Sequence, residues 1–407
     1  MSTVRVARRG PRFLVMAAAL VALGPMSFDF YLPSFPAISA DLGVPVSSVQ
    51  LTLSAALLGM GLGQLVYGPL MDRFGRRPPV VAGLAVYVLA SLGCALSHSI
   101  GTLLVLRVVQ ALGGCAGVVA SRAMTRDLYS GRDLAKAMSV IFLIFGIAPV
   151  LSPILGTLVL GWTSWRGLFI VLVVYGLLCI VAVVTFPETH APDHRTDHGV
   201  REAIRAYGPL LRNRVVMVSG FIQALTGAAL FSFISLSPGV FLEYDGLTSA
   251  QFLAIFGGVS LALFAVSQVN VRLLDRWEPR QIMATAVIVQ LCAAAGLLVS
   301  AVAQLSVWVF VAFLALAVAG VGLLMPNSTA TALEPFPRAA GSAAAIVGAL
   351  GMIGGALWAA ILSGLPVTPP VAMALGIAVA AAISVALTQW LLRLRTTEMV
   401  AAGLGRV

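Results

Sequence analysis

The chain has 407 residues, of which 60% are hydrophobic and 10% charged, with a mean hydropathy of +1.01. Soluble domains carry roughly 25% charged residues, so this composition excludes a water-soluble globular protein. Backbone in lipid must satisfy its own hydrogen bonds, which leaves an all-α polytopic membrane protein as the class that fits.

Runs of about 20 apolar residues cross the roughly 30 Å hydrocarbon core. The first, 13–35, follows a basic segment and has the outline of a secretory signal. Further spans follow it, so it reads as a retained first helix. Five more runs complete the first half: 47–70, 79–98, 101–121, 137–160 and 167–186. A polar, proline-containing stretch then separates a bundle at 1–186 from a second at 214–407, with 187–213 as a cytoplasmic linker. The second half repeats the pattern at 214–236, 250–271, 281–301, 305–326, 341–363 and 370–392. Twelve spans in two six-helix bundles are expected.

Orientation follows from arginine and lysine in the short loops. With the N-terminus inside, 23 of the 25 basic residues fall on the inner side; Arg166 is outside and Arg107 lies within a span. The net charge of +10 is therefore a topology signal, and no nucleic-acid partner is expected. Cys94, Cys115, Cys179 and Cys292 are scattered singly and read as small packing residues. His190, His194 and His198, with Asp193 and Asp197, fall in the linker, where a solvated loop is favoured over a metal site. The one lysine, Lys136, follows GRDLA, so the chain has no phosphate-binding Gly-x-x-x-x-Gly-Lys-Ser/Thr loop. No Ser/His/Asp or Cys/His set stands out, and an enzyme is not expected.

The segment GPLMDRFGRR at 68–77 aligns with VRLLDRWEPR at 271–280. Leu70, Asp72, Arg73 and Arg77 recur as Leu273, Asp275, Arg276 and Arg280 at an offset of 203, half the chain. Repeats of this kind build alternating-access transporters.

Those residues, Gly68 to Arg77, resemble the signature between the second and third helices of the major facilitator superfamily. DFYLPSFP (29–36) resembles the end of the first helix in its drug:proton antiporters. RVVQALGG (107–114) resembles their fourth-helix motif, with Ala111 in place of a glycine, and GIAPVLSPILG (146–156) their fifth-helix motif, with Ser152 in place of another. Together with RDLYSGRD (126–133), WRGLF (165–169) and FPET (186–189), the chain looks most like the bicyclomycin/chloramphenicol resistance subfamily. The resemblance implies a major facilitator fold, antiport rather than symport, and a bacterial inner membrane, in which the charge distribution puts both termini on the cytoplasmic side. It also implies gating roles for Gly68, Asp72, Arg73, Gly75, Arg76, Arg77, Asp127, Gly146, Pro149, Pro153 and Gly156.

Asp29 is the acidic residue placed unambiguously inside a span. A carboxylate at membrane depth costs about 2.5–3.5 kcal/mol, which marks it as functional by default. Pro33 lacks an N–H and leaves the Asp29 carbonyl without its helical partner, so the outer end of the first helix should be broken and polar. Arg107 sits at similar depth, roughly 9 Å into its span at 1.5 Å per residue. The expectation is that Asp29 and Arg107 meet directly, or through Gln110 and water, and that a proton and a substrate compete for them. The alternatives are a carboxylate snorkelling to the surface and a static ion pair that only fixes packing. A mostly apolar cavity between the halves, anchored by Asp29, Tyr31, Arg107, Gln110, Gln223, Phe231, Phe233 and Asn327, is the expected substrate site, although the aromatic and amide residues also serve as ordinary packing. The resemblance implies that Asp72 pairs across the bundle in the outward-open state, so that breaking the pair shifts the conformational balance.

The reading is a monomeric, proton-coupled exporter of small, largely apolar drugs such as phenicol- or bicyclomycin-like antibiotics. Its partners would be the drug, protons and the bilayer, with the proton gradient in place of a cofactor. A metabolite or amino-acid exporter of the same fold and a non-transporting membrane sensor stand as alternatives.

Overall fold

The computed structural model describes residues 10–129, 131–190, 207–336 and 340–401, and every regular element among them is helical. The first half contains α1 (Pro11–Phe28), α2 (Phe35–Leu42), α3 (Val46–Phe74), α4 (Arg77–Ala95), α5 (Ile100–Leu128), α6 (Gly131–Leu160) and α7 (Trp165–Thr185). The second contains α8 (Tyr207–Arg212), α9 (Arg214–Pro238), α10 (Ser249–Leu273), α11 (Pro279–Val302), α12 (Val307–Ala319), α13 (Val321–Leu333), α14 (Ala340–Ser363) and α15 (Pro369–Ala401).

Among the described residues eleven helical segments are long and apolar enough to cross a membrane. Helix α6, at 30 residues, supplies the length for a twelfth. Helices α3 and α5, at 29 residues each, outrun their apolar stretches. Their extra turns carry Asp72 and Arg73 on α3, and Arg126 and Asp127 on α5, where charges leave the hydrocarbon.

The chain divides into two compact units, Met1–Arg205 and Ala206–Val407. The stretch read as linker contributes to both: Glu188 and Thr189 bond into the first unit, and Tyr207 and Leu210 of α8 are buried in the second. Residues 191–206, with His194, His198, Asp193 and Asp197, lie outside the described residues.

Helix starts follow local chemistry, since the first N–H groups of a helix need acceptors. Asn213 Oδ1 accepts from Val215 and Val216, and reciprocal capping boxes join Thr248 with Gln251 and Glu278 with Gln281. Gly75 joins α3 to α4 with φ 86°, a conformation that a residue bearing Cβ rarely adopts.

Small residues let the helices approach closely. A Cβ on Gly63 would stand 2.6 Å from Cys115, and one on Gly59 would collide with the Val108 carbonyl. In the second unit Gly227 lies against the carbonyl of Gly351 in the same way. Cys94, Cys115 and Cys179 are buried as packing residues, whereas Cys292 is exposed on α11.

Helix α1 stops at Phe28, although its apolar run continues to Phe35. Residues 29–31 form a turn, Leu32–Ser34 a single 3-10 turn, and α2 begins at Phe35 with Pro36 in its first turn. The proline chemistry explains the break, but the Asp29 carbonyl is not orphaned. It accepts the Leu32 N–H at 3.3 Å, and Ser34 N–H bonds the Tyr31 carbonyl at 2.9 Å.

Candidate functional site

The break in the first span positions a polar cluster inside the first unit. The N–H of Asp29, just past α1, bonds to the Pro25 carbonyl at 2.7 Å, which leaves later carbonyls outside the helical ladder. One of them, from Ser27, accepts Arg107 Nη2 at 2.5 Å. Arg107 is completely buried on α5, and its Nη1 donates to Gln110 Oε1 at 2.5 Å, one turn along the same helix. Its guanidinium carbon stands 4.2 Å above the centroid of the Tyr31 ring and 5.8 Å from that of Phe169.

Each of these partners is held in turn. Gln110 Nε2 donates to Ser91 Oγ at 2.7 Å, and that hydroxyl donates to the Tyr87 carbonyl at 2.7 Å. The Tyr31 hydroxyl lies 2.9 Å from Thr52 Oγ1, and Ser27 Oγ lies 3.3 Å from the Tyr87 hydroxyl. Five helices, α1, α3, α4, α5 and α7, therefore converge on one guanidinium. Cation–π contacts of a desolvated cation are worth about 2 kcal/mol, so the tyrosine face is a substantial partner.

Asp29 follows Ser27 by two residues and precedes Tyr31 by two, and it is 3% exposed. Its Oδ1 has no hydrogen-bond partner, and neither does Arg107 Nε. Among the described residues no ion pair joins the two, so the direct contact read from their depth is absent in this conformation. The reason is local: the break at Phe28 offers the arginine a backbone carbonyl, and Gln110 takes the other arm of the fork. The buried carboxylate and the buried guanidinium each keep one unmet polar atom.

Helix α6 closes against the break. A Cβ on Gly156 would overlap the Phe30 carbonyl, so only glycine fits there. Ser152 Oγ lies 3.6 Å from Met26 Sδ, and the Pro153 carbonyl accepts Thr157 Oγ1 at 3.0 Å. Gly146 and Pro149 are on α6 but outside the residues whose side chains are described.

A second cluster sits at the end of the unit where α3 turns into α4. Arg76 is 7% exposed, bonding Asp127 through Nε at 2.9 Å and Nη2 at 3.2 Å, and Asp72 through Nη1 at 2.5 Å. Asp72 thus pairs with its own loop rather than with a distant helix, because Arg76 lies one turn away and reaches it first. Glu188 caps α4, accepting the N–H groups of Arg76 and Arg77 at 3.0 Å each, while Thr189 Oγ1 bonds Asp127 at 3.1 Å. Burial opposes the Glu188 charge, but the backbone donors His190, Arg77, Arg76 and Thr189 outweigh it and hold the carboxyl below its ordinary value. Arg77 reaches the Val184 carbonyl at 2.5 Å; Arg73 is exposed over the Phe74 ring; Gly68 faces open space.

In the second unit the anchors read from sequence are bonded to protein partners. Gln223 accepts from Ser328 at 2.5 Å, Asn327 donates to Asn270 at 2.7 Å, and Phe233 stacks on Phe256 at 4.9 Å. Phe231 is buried against Gly355. Arg280, the sequence counterpart of Arg77, pairs with Glu334 at 3.0 Å.

Ser27, Ser91, Tyr87 and Thr52 belong to no sequence motif, since lone hydroxyls in apolar runs carry no pattern. Glu188 and Thr189 were visible only within the FPET resemblance. Among the described residues no group of His, Cys, Asp and Glu is arranged to hold a metal ion.

The Major Facilitator Superfamily model matches residues 16–359. A bicyclomycin resistance protein homolog from Haemophilus influenzae is 31% identical, over 86% of this chain and 88% of its own. A chloramphenicol resistance protein from Pseudomonas aeruginosa is 31% identical, over 86% and 85% respectively. The crystal structure of a D-xylose–proton symporter superposes with a TM-score of 0.75 at 14% identity, covering 93% of this chain and 97% of that one.

Proposed function

We propose that this chain, which belongs to the Major Facilitator Superfamily, exports small, largely apolar toxic compounds in exchange for protons. The names of its relatives point to antibiotics of the bicyclomycin and phenicol classes as substrates. The chain would act as a monomer in the cytoplasmic membrane of a bacterium, with both termini inside, driven by the proton gradient and without a cofactor.

The observation that carries the coupling is the buried, unpaired Oδ1 of Asp29, two residues along the chain from the Ser27 carbonyl that holds Arg107. A bare carboxylate in such a place is costly, and a bound proton removes that cost. When the proton leaves, the carboxylate competes with the Ser27 carbonyl and the Tyr31 face for the guanidinium. A substrate that binds one arrangement better than the other then shifts the equilibrium between them, which is what alternating access needs. Asp72, Arg76, Asp127 and Glu188 tie α3, α4, α5 and the segment after α7 into one body, so that the first unit moves as a block.

Purified protein in proteoliposomes, loaded with chloramphenicol and given an imposed proton gradient, tests the reading. Gradient-dependent flux supports it, and flux that ignores the gradient, or no flux across a panel of apolar antibiotics, refutes it.

A further inference from the structure

The WRGLF segment, which the proposed chemistry leaves without a role, makes a clasp at the end of the first unit opposite the Arg76 cluster. Arg166 Nη1 donates to Asp41 Oδ2 at 2.6 Å, and the Trp165 indole N–H donates to the same oxygen at 3.2 Å. Arg166 Nη2 reaches the Ser97 carbonyl just past α4 at 3.1 Å, and its guanidinium carbon lies 4.3 Å from the Trp165 ring centroid. Three segments are therefore joined through Arg166: its own first turn of α7, the last turn of α2 at the Asp41 carboxylate, and the end of α4 at the Ser97 carbonyl.

From this clasp a continuous line of rings runs inward. Trp165 meets Phe169, one turn along α7, edge to face at 6.0 Å. Phe169 lies 5.9 Å from Tyr31 and 5.8 Å from the Arg107 guanidinium carbon. Residues one turn apart on a helix share a face, so fixing the first turn of α7 fixes where Phe169 stands. Asp41 also anchors the outer piece of the broken span, whose inner edge is Tyr31.

We propose that Asp41 is a positioning residue: through Trp165 and Arg166 it sets the registry of α7 against α2, and thereby the placement of Phe169 and Tyr31 around Arg107. An ion pair as exposed as this one, with side chains 28% and 44% accessible, contributes little to overall stability. Its effect is on the geometry of the turn at 29–34, not on whether the unit folds. The inference for transport rests on the proposed export function; the structural part does not.

Hydrogen exchange on the full chain in nanodiscs separates these. In Asp41→Ala, amides at 30–35 are expected to exchange about tenfold faster, with α3 and α4 and the melting temperature unchanged, as for a local opening. Asp41→Glu, which keeps a carboxylate, restores the wild-type rate. In proteoliposomes the chloramphenicol concentration for half-maximal efflux rises several-fold in Asp41→Ala while the maximal rate holds. Unchanged exchange at 30–35 overturns the proposal, and so does faster exchange throughout the unit with a lowered melting temperature. If the wild-type protein moves no chloramphenicol, the export reading fails while the exchange result still decides the role of Asp41.

Discussion

Arg107 lies 4.2 Å above the ring of Tyr31 and donates to the carbonyl of Ser27, so its buried charge rests on uncharged groups alone. Among the described residues no acidic group pairs with the guanidinium, and Oδ1 of Asp29, two residues past Ser27, has no hydrogen-bond partner. In the proposed cycle the loss of a proton from Asp29 gives Arg107 a competing partner, and the contacts of Arg107 seen here define one of two arrangements.

Tyr31→Leu removes the aromatic face and leaves a smaller apolar side chain. It is expected to cost about 2 kcal/mol of stability, the scale of a desolvated cation–π contact. Tyr31→Phe keeps the ring and loses only the hydroxyl bonded to Thr52, so its loss should be nearer 1 kcal/mol. Thermal unfolding of the two variants in detergent checks the order.

Gly156→Ala places a methyl group on the Phe30 carbonyl, and a backbone atom has no rotamer with which to yield. Overpacking of this kind costs about 1–3 kcal/mol. Because the strain falls on the turn after α1, transport is expected to drop more than expression or the melting temperature. Gly101→Ala, at the start of α5 and also in open space, is the control and leaves transport and the melting temperature unchanged.

Arg76→Ala strands the largely buried Asp127 carboxylate, whereas the exposed Asp72 turns to water. Breaking a buried pair by removing one partner costs about 3–5 kcal/mol. Arg76→Lys keeps the charge but not the two-armed bond to Asp127, and is expected to recover only part of the loss. Arg73→Ala, exposed in the same loop, stays within about 0.5 kcal/mol of the wild type. Melting curves of the three variants side by side give the comparison.

Glu188 makes stability depend on pH at the acid end. Its folded carboxyl titrates below its ordinary value, so it contributes stability that is fully present above the unfolded value of about 4.3. That contribution is lost as the pH falls through the lower, folded value. Glu188→Gln is expected to lower the melting temperature at neutral pH and to flatten its decline on acidification. A melting-temperature profile from pH 7 down to roughly pH 3 distinguishes the two proteins.

Much of the architecture was legible because lipid imposes a length rule: the apolar runs correspond to the helices of the structure, and Pro33 and Pro36 announced the break after α1. The Gly75 turn was legible for the same kind of reason, a local backbone requirement. The partners of Arg107 were not, because depth along two spans says nothing of which face each side chain takes. A backbone carbonyl such as that of Ser27 has no residue type to reveal it. The charged loop at 72–77 announced topology but not burial. Arg76 is enclosed by Asp127 and by residues after α7, contacts 51 and 112 positions away in sequence. Polarity marks Gln223 and Asn327 in the second unit, but their bonds go to Ser328 and Asn270, partners no local pattern marks.

The central claim is that Asp29 carries the exchanged proton, and Asp29→Asn in proteoliposomes tests it most directly. The amide keeps the size of the side chain and cannot ionise. The account predicts a folded protein with the wild-type melting temperature, in which an imposed proton gradient no longer drives chloramphenicol efflux. Gradient-driven efflux at the wild-type rate in that variant would contradict it.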